Sequence, residues 1–458
     1  MTIKATSNSL PHDKHGLLSA PVNGVLRQMT VPMVLGLIAI LLFNLVDTFF
    51  IAMLGTEALA AVSFTFPITF AVNCITMGVG VGLSSLIGQQ LGQGHHHVAA
   101  RLTTHGLLLA LALVCSASTI GLLTLTPLFS SLGANHSLLP LISDYMVIWY
   151  WSIPLLVIPM AGNSAIRASG DTRSPAVIMM LAGVINGLLD PLLIFGLGPF
   201  PELGIQGAAI ASAISWLGAL IGSGYLLAVR ERLLTFPTWH GLFHDWRRIL
   251  VIGTPAGISN AMTPLSGAIL MGVLATHGNA AVAAYGAAQR IESLLLIVAM
   301  ALASVFTPFM AQNMGAGLYL RAFKGLFNAM RFSFFFQLFA YILFVPLTWP
   351  ITYFFTIDTA VQDNLWLYLI MVPASYGMQG CMMLLVSALN ALQRSSQAML
   401  CNFIRLFVLL LPMSIYASHS QGIDGIFTAI ALANVIAGAG ALLYAFKLRQ
   451  HYLRQLLP

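Results

Sequence analysis

The sequence predicts an all-α integral membrane protein with twelve transmembrane helices in two pseudo-symmetric six-helix lobes. Composition, the placement of basic residues and an internal repeat carry that prediction. Of 458 residues, 58% are hydrophobic and only 7% charged, against about a quarter charged in soluble domains. Soluble enzymes and disordered scaffolds are excluded. Twelve spans of about 20 residues each consume roughly 240 residues and leave short loops. The formal charge of +6 sits singly in loops rather than in one stripe, so no nucleic-acid partner is expected.

Apolar windows bounded by polar, Gly or Pro clusters place the spans near 31–54, 58–86, 102–126, 138–165, 175–198, 205–229, 248–276, 280–313, 323–348, 361–390, 397–418 and 423–446. An apolar piece around Pro346 to Phe355 is expected to lie in the interface. The first 27 residues lack an apolar core before a cleavage site, so span 1 itself is expected to direct insertion. With both termini cytoplasmic, 16 of the 19 Lys and Arg residues fall on the inner side, and the other three, Arg290, Arg331 and Arg405, fall inside spans. That asymmetry obeys the positive-inside rule and supports an even span count.

The chain also repeats. Gly55, Ala58, Ala60, Ala61, Gln89, Gly92 and Gly94 recur 223 residues later as Gly278, Ala281, Ala283, Ala284, Gln312, Gly315 and Gly317. At the same offset Pro32 meets Pro255 and Ala168 meets Ala391, while GIQG at 204–207 answers GIDG at 422–425. Six spans per half is an even number, so an axis along the membrane normal relates the halves. The expected organisation is a cytoplasmic tail (1–30), an N lobe (31–230), a cytoplasmic linker (231–247), a C lobe (248–447) and a second tail (448–458). Two lobes rocking about a central cleft form a transporter, not an enzyme; HExxH, GxSxG and GxxxxGK[ST] are all absent from the sequence.

Ionisable groups in hydrocarbon need a reason. Asp47 lies about seven residues, roughly 10 Å, before the outer end of span 1, and Asp190 lies at the same depth in span 5. Asn186 precedes Asp190 by four residues and shares its helix face. Ser212 in span 6 reaches a similar level. Two carboxyls in a weakly solvated pocket disfavour joint ionisation, so one is expected to hold a proton. Two readings stand for the pair: a cation-coupling site, or polar contacts that merely join helices. The counterparts at the 223 offset are Leu270 and Met413, and contacts required by the fold would recur in both halves. Pro191 removes the amide that would bind the Gly187 carbonyl, and Pro32 is either a hinge or a proline tolerated near a helix start.

Other features read as structural. Cys74, Cys115, Cys381 and Cys401 are expected to be buried, reduced hydrophobes. Gly78, Gly80 and Gly82 fit close helix packing. His95-His96-His97 reads as a solvated loop, and no metal site is expected. Arg290 and Glu292, two apart on span 8, point to different faces, and either line the cleft of the C half or meet structural partners elsewhere. Arg405 either reaches the interface or binds a carbonyl.

Together, QQLGQG at 89–94, its echo QNMGAG at 312–317, RASGDTRSP at 167–175 and GIQGAAIAS at 204–212 resemble the multidrug and toxic compound extrusion (MATE) family, over essentially the whole chain. Acids in spans 1 and 5 of the N lobe resemble its DinF-like branch. There Asp47, Asn186, Asp190 and Ser212 match the cation-linked network, Asn163 matches a further polar position on span 4, and Pro32 matches the proline where span 1 bends. The resemblance implies secondary active efflux of organic, often cationic amphipathic drug-like compounds in exchange for H⁺, with Na⁺ as the other coupling cation. It implies no cofactor, a monomer among membrane lipids, and a bacterial inner membrane location. A rival within the wider superfamily is a lipid or lipid-linked saccharide flippase, which would line its cleft with several basic residues; here only Arg290 and Arg405 are available.

Overall fold

The computed structural model describes residues 15–454. Residues 1–14 and 455–458, with Lys4 and Lys14 among them, lie outside the described residues. Among the described residues there are helices and turns and no strand. Span 1 is Val22–Met53, span 2 Thr56–Gly92, span 3 His96–Leu123, span 4 Leu139–Ser169, span 5 Arg173–Ile194, and span 6 Ile205–Tyr225 with a π-helical turn Leu226–Arg230. Span 7 is Leu242–Ala275, span 8 joins Asn279–Leu295 to Ile297–Gly315, and span 9 is Tyr319–Phe355. Span 10 joins Thr359–Met371 to Tyr376–Ala391 across a 3₁₀ turn, and span 11 passes through a π-helical turn at Ile404–Leu410.

The last helical run, Ser395–Arg454, is 60 residues long, twice what a bilayer needs. It divides at Gly422, whose φ of 64° and ψ of −140° are non-helical, giving spans 11 and 12. Gly204, the matching residue of the repeat, has φ 54° at the start of span 6. Only glycine adopts that backbone without strain, so GIQG and GIDG mark the same corner in each half. Span 9 continues as one helix to Phe355, so the expected interfacial piece belongs to it. Cys115 is exposed on span 3 and Cys401 half-buried, against the expectation of burial, whereas Cys74 and Cys381 are buried; all four are free thiols.

The packing repeats as the sequence does. Span 1 lies against 5, 2 against 3 and 4, 3 against 4, 4 against 6, and 5 against 6. In the second half 7 lies against 11, 8 against 9 and 10, 9 against 10, and 10 against 12, with 11 bonded to 12 through Arg405 and Asn434. Between lobes, 2 meets 7 and 8, and 1 meets 8.

The lobes join along the basic halves of these helices. Nearly all of 78–92 in span 2 and 301–314 in span 8 is buried, whereas their opposite halves show exposed faces. Gly82 abuts span 7 so closely that a Cβ would lie 2.7 Å from the Ile249 carbonyl, and a Cβ on Gly253 would lie 2.9 Å from that of Gly78. The glycine pattern is therefore a backbone contact between lobes. Two repeated residue pairs close the same face. Gln89 Nε2 donates to the Ala391 carbonyl at 2.9 Å, and Gln312 Nε2 to the Ala168 carbonyl at 2.6 Å. A cleft thus opens away from the basic face.

The helices run beyond the expected spans. Span 1 begins at Val22, span 7 at Leu242, and the last helix runs to Arg454, so parts of the expected tails and linker are helical. Leu17, Val22, Leu26 and Met29 pack with Phe306, Phe309 and Phe323 of the C lobe, and Asn328 donates to Asn23 Oδ1 at 2.8 Å. Reciprocally, Leu233, Ile249 and Ile252 join the N-lobe core. There Asp245 accepts from Arg101 Nε at 3.0 Å and lies 2.8 Å from His105 Nδ1. Each lobe therefore holds the first turns of the other's leading helix. Apolar windows missed these turns because Arg27, Arg247 and Arg248 interrupt them.

Candidate functional site

Asp190 is fully buried on span 5, and Asn186 is equally buried one turn before it. Asn186 Nδ2 donates to Asp190 Oδ1 at 3.2 Å and to Ser212 Oγ at 3.3 Å, which ties spans 5 and 6. Asp47, half-buried on span 1, lies close enough for its charge to act on Asp190, and both act on Tyr145 of span 4. Helix counting explains the convergence. Asp47 is six residues before Met53, Tyr145 six after Leu139, Asp190 four before Ile194 and Ser212 seven after Ile205. At 1.5 Å per residue all sit about 6–10 Å inside the ends opposite the basic face.

The electrostatics of the cluster are one-sided. Among the described residues, no Lys, Arg or His pairs with either carboxyl. Asp190 Oδ2 and Asn186 Oδ1 are buried acceptors without a hydrogen-bond partner among the described residues. Such atoms are rare in native interiors, and a proton on the carboxyl or a small cation satisfies them. The groups present are oxygen donors suited to either.

Asn163 is not brought into this cluster. It is buried on span 4, eighteen residues beyond Tyr145 and hence about 27 Å nearer the basic face, and its Oδ1 has no partner. Pro32 is the eleventh residue of its helix, well past the first turn where proline is tolerated, so it removes an interior hydrogen bond. Pro191 is also interior, and span 5 stays helical through it.

The C lobe carries a different polar network. Glu292 accepts from Tyr368 Oη at 2.6 Å, with the Tyr285 ring edge-on to Tyr368 at 6.0 Å. Arg405, buried on the π-helical turn of span 11, acts on Glu292 through space. It donates to Asn434 Oδ1 at 3.2 Å, and Asn434 in turn donates to Ser375 Oγ at 3.1 Å. Arg290 is exposed on the other side of span 8, as the two-residue spacing requires. Sequence reading missed Tyr145, although counting depth along span 4 finds it. It also missed Tyr285 and Tyr368, which nothing separates from the other aromatic residues of their spans. Among the described residues no three His, Cys, Asp or Glu side chains are placed to hold a metal ion.

Two six-helix lobes, a cleft open on one side and uncompensated acids in one lobe fit a transporter of the membrane. The family profile described as MatE matches twice, over residues 32–192 and 255–416, and the two matches start at the paired prolines of the repeat. The chain belongs to the MATE family. It is 45% identical to a protein of Shewanella oneidensis named "FAD transporter", over 93% of this chain and 95% of that one. It is 31% identical to the probable multidrug resistance protein YoeA of Bacillus subtilis, over 57% and 58% of the two chains. Among solved structures, the Vibrio cholerae MATE transporter VcmN in the bent form superposes with a TM-score of 0.90 at 31% identity, covering 94% of this chain and 98% of that one.

Proposed function

We propose that this chain is a secondary active exporter in which Asp47 and Asp190 exchange a coupling cation for an organic solute. The observation that carries the reading is the pair of N-lobe carboxyls that, among the described residues, have no cationic partner, with Asp190 Oδ2 unsatisfied in a buried site. The proton is the preferred cation, because protonating a carboxyl needs no closed oxygen cage. In the state open away from the basic face, protonation neutralises the cluster, rearranges the bonds of Asp190 to Asn186, and lets span 1 bend at Pro32. The pocket narrows and cargo leaves. Return to the opposite state releases the proton. Coupling follows only if proton and cargo prefer different states. This reading places both termini in the cytoplasm of a bacterial inner membrane and takes the monomer as the working unit.

For the cargo, we infer flavin adenine dinucleotide from the relative bearing that name over nearly the whole chain. The exposed Arg290 on span 8 supplies a cation suited to a diphosphate. The second reading, organic cation efflux, rests on relatives named for multidrug resistance or export, which match at lower identity. Proteoliposomes loaded with either FAD or ethidium, under an imposed pH or sodium gradient, separate these possibilities. The expected result is FAD movement under a pH gradient, abolished in Asp47→Asn. Wild-type rates in that variant overturn the coupling assignment, and ethidium transport without FAD transport overturns the cargo.

A further inference from the structure

The basic ends of spans 1, 5 and 6 border an open cavity of about 1110 Å³ that is separate from the carboxyl cluster. Its charged lining is unequal. Asp171 Oδ1 accepts from the amides of Arg173 and Ser174, both at 3.0 Å, and its Oδ2 accepts from Ser174 Oγ at 2.6 Å. Arg230 reaches Asp171 at 3.4 Å and Glu231 at 3.8 Å. The acids are thereby engaged by groups already present. Arg27 and Arg173 are exposed on the cavity wall and make no ion pair among the described residues. The cavity therefore keeps a positive excess.

Its remaining wall is apolar and directional. Val31, Val177 and Tyr225 line it and are 53%, 40% and 61% exposed. One turn farther from the basic face on each helix stand Leu35, Leu181 and Ile221, exposed at 52%, 57% and 66%. Side chains four apart share a helix face. Three apolar stripes thus run from the cavity toward the middle of the bilayer. Unpaired arginines at the interface with hydrocarbon-facing stripes above them match one ligand chemistry, a phosphate anion carrying acyl chains.

We propose that this cavity binds an anionic glycerophospholipid, its phosphate between Arg27 and Arg173 and its acyl chains along the three stripes. A free phosphate has no use for the stripes. A bound lipid links the basic end of span 1, beside Pro32, to spans 5 and 6, and so biases the conformation of span 1. The inference is independent of cargo and coupling cation.

The test titrates the purified full chain in detergent with short-chain phosphatidylglycerol, with short-chain phosphatidylcholine and with inorganic phosphate, reading binding by calorimetry. Arg27→Gln/Arg173→Gln is compared with Arg247→Gln, an exposed arginine at the start of span 7. Phosphatidylglycerol is expected to bind most tightly. The double variant should weaken that binding about 25-fold, roughly five-fold per arginine, while Arg247→Gln leaves it unchanged. Gel filtration and thermal unfolding confirm that both variants are folded. Equal binding of the two lipids overturns the proposal, as does undiminished phosphatidylglycerol binding in the double variant. Inorganic phosphate binding as tightly as the lipid overturns it in favour of a soluble anion.

Discussion

The two lobes share one helix packing, yet their buried acids live in opposite surroundings. In the N lobe, two carboxyls face each other's charge with an amide and a hydroxyl for company and, among the described residues, no cation paired with either. In the C lobe, a single Glu292 is held by the Tyr368 hydroxyl and lies in the field of Arg405. The first arrangement changes its proton count at low cost, because each state leaves something unsatisfied. The second is closed as it stands, with the Glu292 carboxylate held by the Tyr368 hydroxyl and facing the buried Arg405. Fold symmetry therefore does not carry over to the polar networks, and on the coupling proposed above one lobe would cycle while the other stays fixed.

The sharpest way to break this contrast is transport itself. Asp47→Asn and Asp190→Asn should each reduce gradient-driven flux more than about 100-fold, the scale of losing an essential proton-transfer group, while Glu292→Gln keeps flux within about ten-fold. Proteoliposome flux under a fixed pH gradient measures both, and equal losses would erase the distinction between lobes.

Stability should show the reverse order. Arg405→Met strips Asn434 of a donor and leaves Glu292 without its cation, so it should destabilise by about 2–3 kcal/mol. Asp190→Asn relieves like-charge repulsion and should change stability by less than about 1 kcal/mol. Thermal unfolding in one detergent compares the two.

The closed basic face offers a test of symmetry instead of contrast. Gln312→Ala removes one reciprocal hydrogen bond, about 1 kcal/mol or roughly five-fold in the open-to-closed ratio, and so does Gln89→Ala when it is compared within a Gln393→Ala background, because Gln89 also accepts from Gln393 Nε2. The two effects should be equal. Distances between spin labels on the two lobes read the ratio, and unequal shifts would show that the faces are not equivalent.

The smallest expected effect is a null result. Asn163→Ala, about 27 Å from the cluster along span 4, should leave the pH dependence of transport unchanged, whereas Asn186→Ala should shift it. A shift with Asn163→Ala would extend the coupling site to the basic end.

Much of this molecule was legible because a bilayer punishes exceptions. Asp47 and Asp190 stand out where charge is costly, and counting residues from the span ends gave their common depth. The 223-residue register anticipated the twofold packing, and its pairs Gln89/Gln312 and Ala168/Ala391 proved to bond reciprocally across the interface. Other parts lacked a signal. Tyr145 is one aromatic in YMVIWYW, and hydropathy does not tell a cluster member from a lipid-facing neighbour. The cage around Glu292 depends on which faces of spans 8, 10 and 11 meet, which no single stretch of sequence encodes. Asn163 entered through the family resemblance alone, and counting along span 4 already puts it toward the basic face, where the structure places it.

The crossed seating of the leading turns of spans 1 and 7 imposes an order on biosynthesis. When Arg101 and His105 have been made, Asp245 follows within about 145 residues, so span 7 finds its seat waiting. Leu17 and its neighbours must wait nearly 290 residues for Phe306, about 15–60 s at ribosomal speed. A molecule symmetric when finished is thus assembled unevenly in time, with its first greasy turns the longest without a home.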